Sequence, residues 1–147
     1  MCGASAGVMP VAERIAGQDV RPINYNHVPR GTYCEPEIGS AGLTEAQAKA
    51  EGYDVRVGMF PFKALARARM AGETDGFVKT VFDAKTGELL GAHMIGAEVT
   101  ELIQGYTIGK TAELVEQDFI ATVFPHPTLS EMMHESVLDA YGRALHY

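Results

Sequence analysis

The sequence predicts an α+β fold, a small antiparallel sheet with helices packed on one face. Three observations predict it. Period-two alternation of apolar and polar residues, the mark of half-buried strands, is gathered ahead of the longer stretches with helical spacing. Runs of strands followed by runs of helices favour segregated layers. Two alternating runs, GFVKTVF and ELLGAHMI, are joined by the turn-forming stretch DAKTG, as a hairpin requires. No strand–GxGxxG–helix unit occurs in the 147 residues, which argues against a parallel, doubly wound sheet.

The first six residues, MCGASA, carry no pattern. Residues 8–17 place Val8, Val11, Ala12, Ile15 and Ala16 at helical spacing, with Gly17 as the stop. So short a helix needs another surface to pack on. Residues 18–31 contain two prolines and read as an extended connection. Residues 32–38 form a strand candidate interrupted by Pro36, hence an edge or a bend, and residues 39–42 a turn. Thr44 caps a helix that reaches Ala50, with Glu45 and Gln47 in its opening turns and Gly52 as its stop. Tyr53, Val55, Val57 and Met59 alternate over residues 53–60, a strand closed by Pro61. Residues 63–70 are helix-rich in composition, but too short and basic to assign. The hairpin follows at residues 76–82 and 88–95, with Gly87 where the turn needs positive φ. Residues 98–114 turn Val99, Leu102, Ile103, Tyr106 and Ile108 toward one face; Gly105 and Gly109 either weaken this helix or permit close packing. A short helix is expected over residues 117–123. The last runs over 129–145, with Met132, Met133, Val137, Leu138, Ala140, Tyr141 and Leu145 as its apolar stripe.

Composition narrows the function classes. Apolar residues make up 46% and charged residues 21%, as in an ordinary globular domain. The net charge of -7 argues against a nucleic-acid surface, which needs a basic patch. No run of 18 apolar residues offers a membrane span, and the N-terminus lacks the pattern of a signal peptide. The two cysteines, Cys2 and Cys34, lie far apart with no CxxC neighbour; they fit a reducing cytoplasm and suggest neither zinc nor a redox motif. His27, His93, His134 and His146 share no ligand spacing with cysteines or carboxylates, so no metal site is expected. Lys63, Arg67 and Arg69 form a small basic cluster that reads as a solvated face or as a contact with another domain or subunit. Glu98 and Glu101 stand where they complement a helix dipole.

The chemically informative segment is Phe124-Pro125-His126-Pro127-Thr128-Leu129-Ser130-Glu131. Prolines on both sides of His126 restrict its backbone, so the imidazole is aimed. Pattern alone leaves the His126–Pro127 bond open to trans or cis. Glu131 falls in the first turn of the last helix. If the chain folds back at Pro127, its carboxylate reaches the imidazole Nδ1–H, fixes the tautomer and leaves Nε2 free for proton transfer. The bland alternative is a capping box, Thr128-x-x-Glu131, beside an idle loop histidine.

HPTLSE ahead of a C-terminal helix resembles the active-site signature of the dihydrolipoamide dehydrogenases, members of the class I pyridine nucleotide-disulfide oxidoreductases. VAERIAGQ, YNHVP, YCEPEIG, VGMFPF, ARAR, TDGFVK and GAHMIG extend the resemblance over most of the chain. It implies an N-terminal helix and linker from the FAD-domain side over residues 1–28 and an interface, or dimerisation, domain over 29–147. It implies a homodimer in which His126 is the general base toward the dithiol of dihydrolipoamide and Glu131 its orienting carboxylate. Pro125, His126, Pro127 and Thr128 would then lie near the flavin of the partner subunit. FAD and NAD are the cofactors implied for the complete enzyme, and none is expected on these residues alone. The missing FAD and NAD domains and the lipoyl-bearing acyltransferase of a 2-oxo acid dehydrogenase complex are the implied partners, with Glu98 and Glu101 as weak candidates for the latter contact. The implied compartment is the bacterial cytosol or the mitochondrial matrix. The sequence departs from the family at Phe124 and Glu35, where many members carry histidine, and it lacks both the CxxxxC redox pair and the dinucleotide-binding domains. The simplest expectation is a fragment, inactive by itself. Two alternatives stay open: a stand-alone dimerisation or binding module, and the same domain from a glutathione-type reductase.

Overall fold

The structure, a computed structural model, describes residues 4–146; Cys2 lies outside them. Five strands form one antiparallel sheet in the order β1-β2-β5-β4-β3. They are β1 (Arg30–Thr32), β2 (Glu37–Gly42), β3 (Val55–Pro61), β4 (Phe77–Asp83) and β5 (Leu89–Gly96). The β4–β5 hairpin is the centre of the sheet, and Gly87 closes its turn at φ +77 as expected. Side chains of β4 alternate across the sheet. Val78, Thr80 and Phe82 point into the main core, while Lys79 and Val81 face the other side.

The long helices cover the main-core face. Helix α4 (Val99–Thr111) packs on β2 and β5, and α6 (Glu131–Ala140) on β3 and β4, with α5 (Glu116–Ala121) beside α6. Tyr106, Phe60, Phe62, Phe82, Leu89, Met94 and Met132 are fully buried between these layers. On the opposite face, α2 (Glu45–Ala50) closes a smaller cluster of Leu43, Ala48, Val81 and Leu90. Thr44 and Gln47 cap α2 reciprocally. Residues left unassigned by pattern become a 3-10 turn at Phe62–Ala64 and the short helix α3 (Ala66–Ala71). Helix α1 begins earlier than expected (Ala4–Ile15) and exposes Val8, Met9, Val11 and Ile15. No helix among the described residues is long and apolar enough to cross a membrane.

Three expectations need correction. Residues 39–42 are strand, not turn. The turn lies at residues 33–36, around a cis Glu35–Pro36 bond, and β1 and β2 flank it. The glycines of β2 mark close packing: a Cβ at Gly39 would come within 2.6 Å of the Val99 carbonyl, where α4 starts. The last helix is shorter than residues 129–145. It ends at Ala140, Gly142 turns at φ +66, and the Arg143 N–H returns to the Leu138 carbonyl, a left-handed C-terminal stop. Within α4, Val99, Ile103 and Tyr106 are buried, but Ile108 is 59% exposed on the outer side. Of the two readings of Gly105 and Gly109, close packing holds: added methyl groups would meet Met133 and Phe119 at 2.7 and 2.4 Å.

Candidate functional site

The site is built where the loop after α5 meets the start of α6. Thr122 ends α5, and the chain runs extended to Pro125. The His126–Pro127 bond is cis. The Thr128 hydroxyl donates to the Pro125 carbonyl (2.7 Å) and contacts Ser130 Oγ (2.7 Å), closing a tight turn that delivers the chain into α6.

The Glu131 carboxylate divides its two oxygens. Oε2 accepts the Thr128 backbone N–H at 2.8 Å, and Oε1 accepts from His126 Nδ1 at 2.8 Å. The capping box expected at Thr128-x-x-Glu131 does not form: α6 starts at Glu131 with Ser130 as its N-cap and no side-chain cap, and the Thr128 hydroxyl is spent on Pro125 and Ser130. Glu131 holds the Thr128 N–H and the His126 ring together. An ionised carboxylate can only accept, so Nδ1 carries the hydrogen and Nε2 is the free nitrogen. The carboxylate is mostly buried, 19% exposed, whereas the imidazole is 74% exposed. Burial pushes the Glu131 carboxyl up, but the Thr128 N–H and the His126 ring outweigh it and hold the group below its ordinary value. The result is an oriented imidazole on an anchored anion, with its second nitrogen facing outward.

The loop has a further anchor that pattern reading missed. Phe124 stacks on the His134 ring at 5.4 Å between centroids, and His134 Nε2–H donates to the Ile120 carbonyl of α5 at 3.2 Å. His134 thus ties the loop and α5 to α6. Glu135 was also missed. It is buried, and His146 Nδ1 donates to its Oε1 at 2.9 Å. A signal existed: Glu135 lies three residues after Met132 and three before Leu138, on the apolar side of the helix.

The other residues singled out by sequence lie apart from this loop. His93 donates from Nε2 to the Leu43 carbonyl on the α2 side of the sheet. His27 sits in a 3-10 turn (Tyr25–His27), where burial, then Lys110, pushes it below its ordinary value. Among the described residues, no three His, Cys, Asp or Glu side chains gather as a metal site. Arg69 donates from Nε to the Lys63 carbonyl, so that part of the basic cluster caps its own loop. Glu98 occupies the N-cap of α4 at φ 60, and Glu37 of β2 supplies the capping oxygen, accepting from Thr100 N and Oγ1 at 3.2 and 2.7 Å.

Comparison with known proteins agrees with this architecture. Residues 28–137 match the family model of the pyridine nucleotide-disulphide oxidoreductase dimerisation domain. The chain is 61% identical over 137 residues to a dihydrolipoyl dehydrogenase of Zymomonas mobilis, covering 92% of this chain and 29% of that protein. A dihydrolipoyl dehydrogenase of Bacillus subtilis is 43% identical over 141 residues, covering 96% of this chain and 30% of the relative. The chain thus spans under a third of the length of these relatives. Among solved structures, the HOCl-induced flavoprotein disulfide reductase RclA of Escherichia coli superposes with a TM-score of 0.81 at 29% identity, over 88% of this chain and 30% of that one. LpdA of Mycobacterium tuberculosis superposes with a TM-score of 0.80 at 25% identity, over 86% and 28% of the two chains. With a match that runs from the connection ahead of β1 into α6, the chain belongs to the pyridine nucleotide-disulphide oxidoreductase family, as its dimerisation domain.

Proposed function

We propose that this domain serves a dihydrolipoamide dehydrogenase, with His126 as general base toward the dithiol and Glu131 as the carboxylate that orients it. One observation carries the reading: His126 Nδ1 is tied at 2.8 Å to a carboxylate that a backbone N–H also holds, while the ring stays exposed. Such a base accepts a thiol proton on Nε2, and Glu131 stabilises the imidazolium that results. The names of the dihydrolipoyl dehydrogenase relatives support the choice of substrate.

In the complete protein the cofactors are FAD and NAD. The 125–128 loop offers an exposed imidazole and no glycine-rich cradle for phosphates, so it would approach a dinucleotide rather than cradle its phosphates. Pro125, His126, Pro127 and Thr128 then approach the flavin of a partner subunit. The assembly is a homodimer; the exposed Ile108 on the outer side of α4 supports a contact there. The division at residue 28 is supported by the family match, which starts at that position. A lipoyl-bearing acyltransferase is the proposed physiological partner, in the bacterial cytosol or the mitochondrial matrix.

The test is made on the full-length flavoprotein. His126→Ala lowers kcat/KM for dihydrolipoamide by about 10²–10⁴, the worth of a positioned base. A loss under tenfold removes His126 from the mechanism.

A further inference from the structure

Glu131 and His134 lie three residues apart on α6 and so share one side of the helix. Each holds one end of the loop that carries His126. Glu131 takes the far end, through the Thr128 N–H and the His126 ring, both at 2.8 Å. His134 takes the near end. Its ring stacks on Phe124 with centroids 5.4 Å apart and planes inclined by 26°, an arrangement that aromatic rings favour. Its Nε2–H donates to the Ile120 carbonyl at 3.2 Å, which ties the same ring to the end of α5. Of residues 122–127, Phe124 is the one that is not exposed, and it packs against the main core. Between the two anchors stand Pro125, His126 and Pro127.

An imidazole that is 74% exposed has little packing of its own to hold it. The bond from Nδ1 to Glu131 sets the direction of the ring, but not the place of the backbone that carries it. The loop sets that place. The prolines on both sides of His126 leave few backbone angles free to absorb a shift, so a displacement at Phe124 passes on to His126.

We infer that Phe124 and His134 are positioning residues for His126: their stack pins the near end of the loop, as Glu131 pins the far end, and together they hold Nε2 where the dithiol proton is taken. The inference rests on the reading of His126 as a base. It gives His134 no proton to transfer, because its Nε2–H is spent on a carbonyl and its face is covered by Phe124.

The experiment measures kcat and KM for dihydrolipoamide in the full-length flavoprotein carrying Phe124→Leu, Phe124→Tyr or His134→Gln, each alone and combined with His126→Ala. Leucine keeps an apolar side chain against the core and removes the ring. Glutamine keeps an N–H donor for Ile120 and removes the stack. Phe124→Leu and His134→Gln are each expected to lower kcat about tenfold while KM changes by less than about twofold, the mark of a misplaced group. The Phe124→Leu/His134→Gln double variant loses no more than the larger single loss, because both cut one contact. Phe124→Tyr restores the ring and stays within about twofold of the unsubstituted enzyme. In the His126→Ala background none of the three lowers kcat further, since they act through that ring. His134 is half-buried on α6, so its variant keeps the test open even if Phe124→Leu does not fold. A folded Phe124→Leu or His134→Gln enzyme with unchanged kcat overturns the inference. A further loss on top of His126→Ala overturns it too, as does a Phe124→Tyr loss equal to that of Phe124→Leu. Full activity in His126→Ala defeats the reading of His126 as a base instead, and the positioning role with it.

Discussion

Helix α6 carries two His–Glu contacts a single turn apart, made of the same chemical groups at nearly the same distance, 2.8 and 2.9 Å. They differ in how the rest of each pair is spent. Glu131 gives one oxygen to the Thr128 N–H and one to an imidazole that is 74% exposed. Glu135 is buried to 4% side-chain exposure and uses its oxygens on two tail N–H groups as well as the ring. The first arrangement presents a histidine to an incoming group; the second fastens a segment of chain. A His–Glu distance alone therefore does not mark an acid–base pair. What separates the two is the rest of the carboxylate's contacts: Glu131 holds the turn that carries its histidine, with that ring 74% exposed, whereas Glu135 spends an oxygen on two tail N–H groups and its histidine is 53% exposed.

The largest way to break the comparison is to lift the helix that carries both pairs. Gly58 of β3 lies directly under α6, and a Cβ there would come within 1.9 Å of the Ser136 carbonyl and 2.7 Å of the Ala140 nitrogen. Gly58→Ala is expected to cost about 2–3 kcal/mol by overpacking, read as a lower urea midpoint, and to disturb both contacts together. A smaller effect follows from Tyr106→Phe. Its buried hydroxyl donates to the Met133 carbonyl at 3.0 Å and contacts Ser136 Oγ at 2.8 Å. Losing it costs about 1 kcal/mol, yet both His–Glu pairs survive, so activity falls far less than stability.

The smallest effect separates the pairs by pH. Glu131 is held below its ordinary value of 4.5 in the folded state. A depressed carboxylate adds stability that is present above its unfolded value and is lost as pH falls through the folded one. Thermal unfolding of Glu131→Gln and of the unsubstituted protein should therefore differ near neutrality and converge as pH drops below about 4. A constant difference across that range would show that the charge of Glu131 contributes nothing.

Legibility in the sequence follows the same division. The β4–β5 hairpin could be read because its alternation and Gly87 are local signals, and local signals survive folding there. Strand β2 could not, because EIGSAG lacks the apolar alternation of a strand. Its small residues answer to the close approach of α4, a tertiary demand. At the site, the two prolines aimed His126 in a way the pattern shows. The division of Glu131 between His126 and Thr128, the Phe124–His134 stack and the Glu135 clamp depend on how the loop and tail fold back on α6. Those contacts span 3 to 11 residues and obey no helical or strand period. The family resemblance suggests the role proposed for His126, and the 74% exposed ring on an anchored carboxylate is the observation that supports choosing it over His134, whose ring is spent on Ile120 and Phe124.

The most direct test places the two histidines side by side in the full-length flavoprotein, measuring kcat/KM for dihydrolipoamide in His126→Ala and His146→Gln at the high-pH plateau. The account predicts a loss of about 10²–10⁴ for the first and little change for the second, whose ring is spent on Glu135 and the tail. Equal losses in the two variants, or a larger loss at His146, would contradict it.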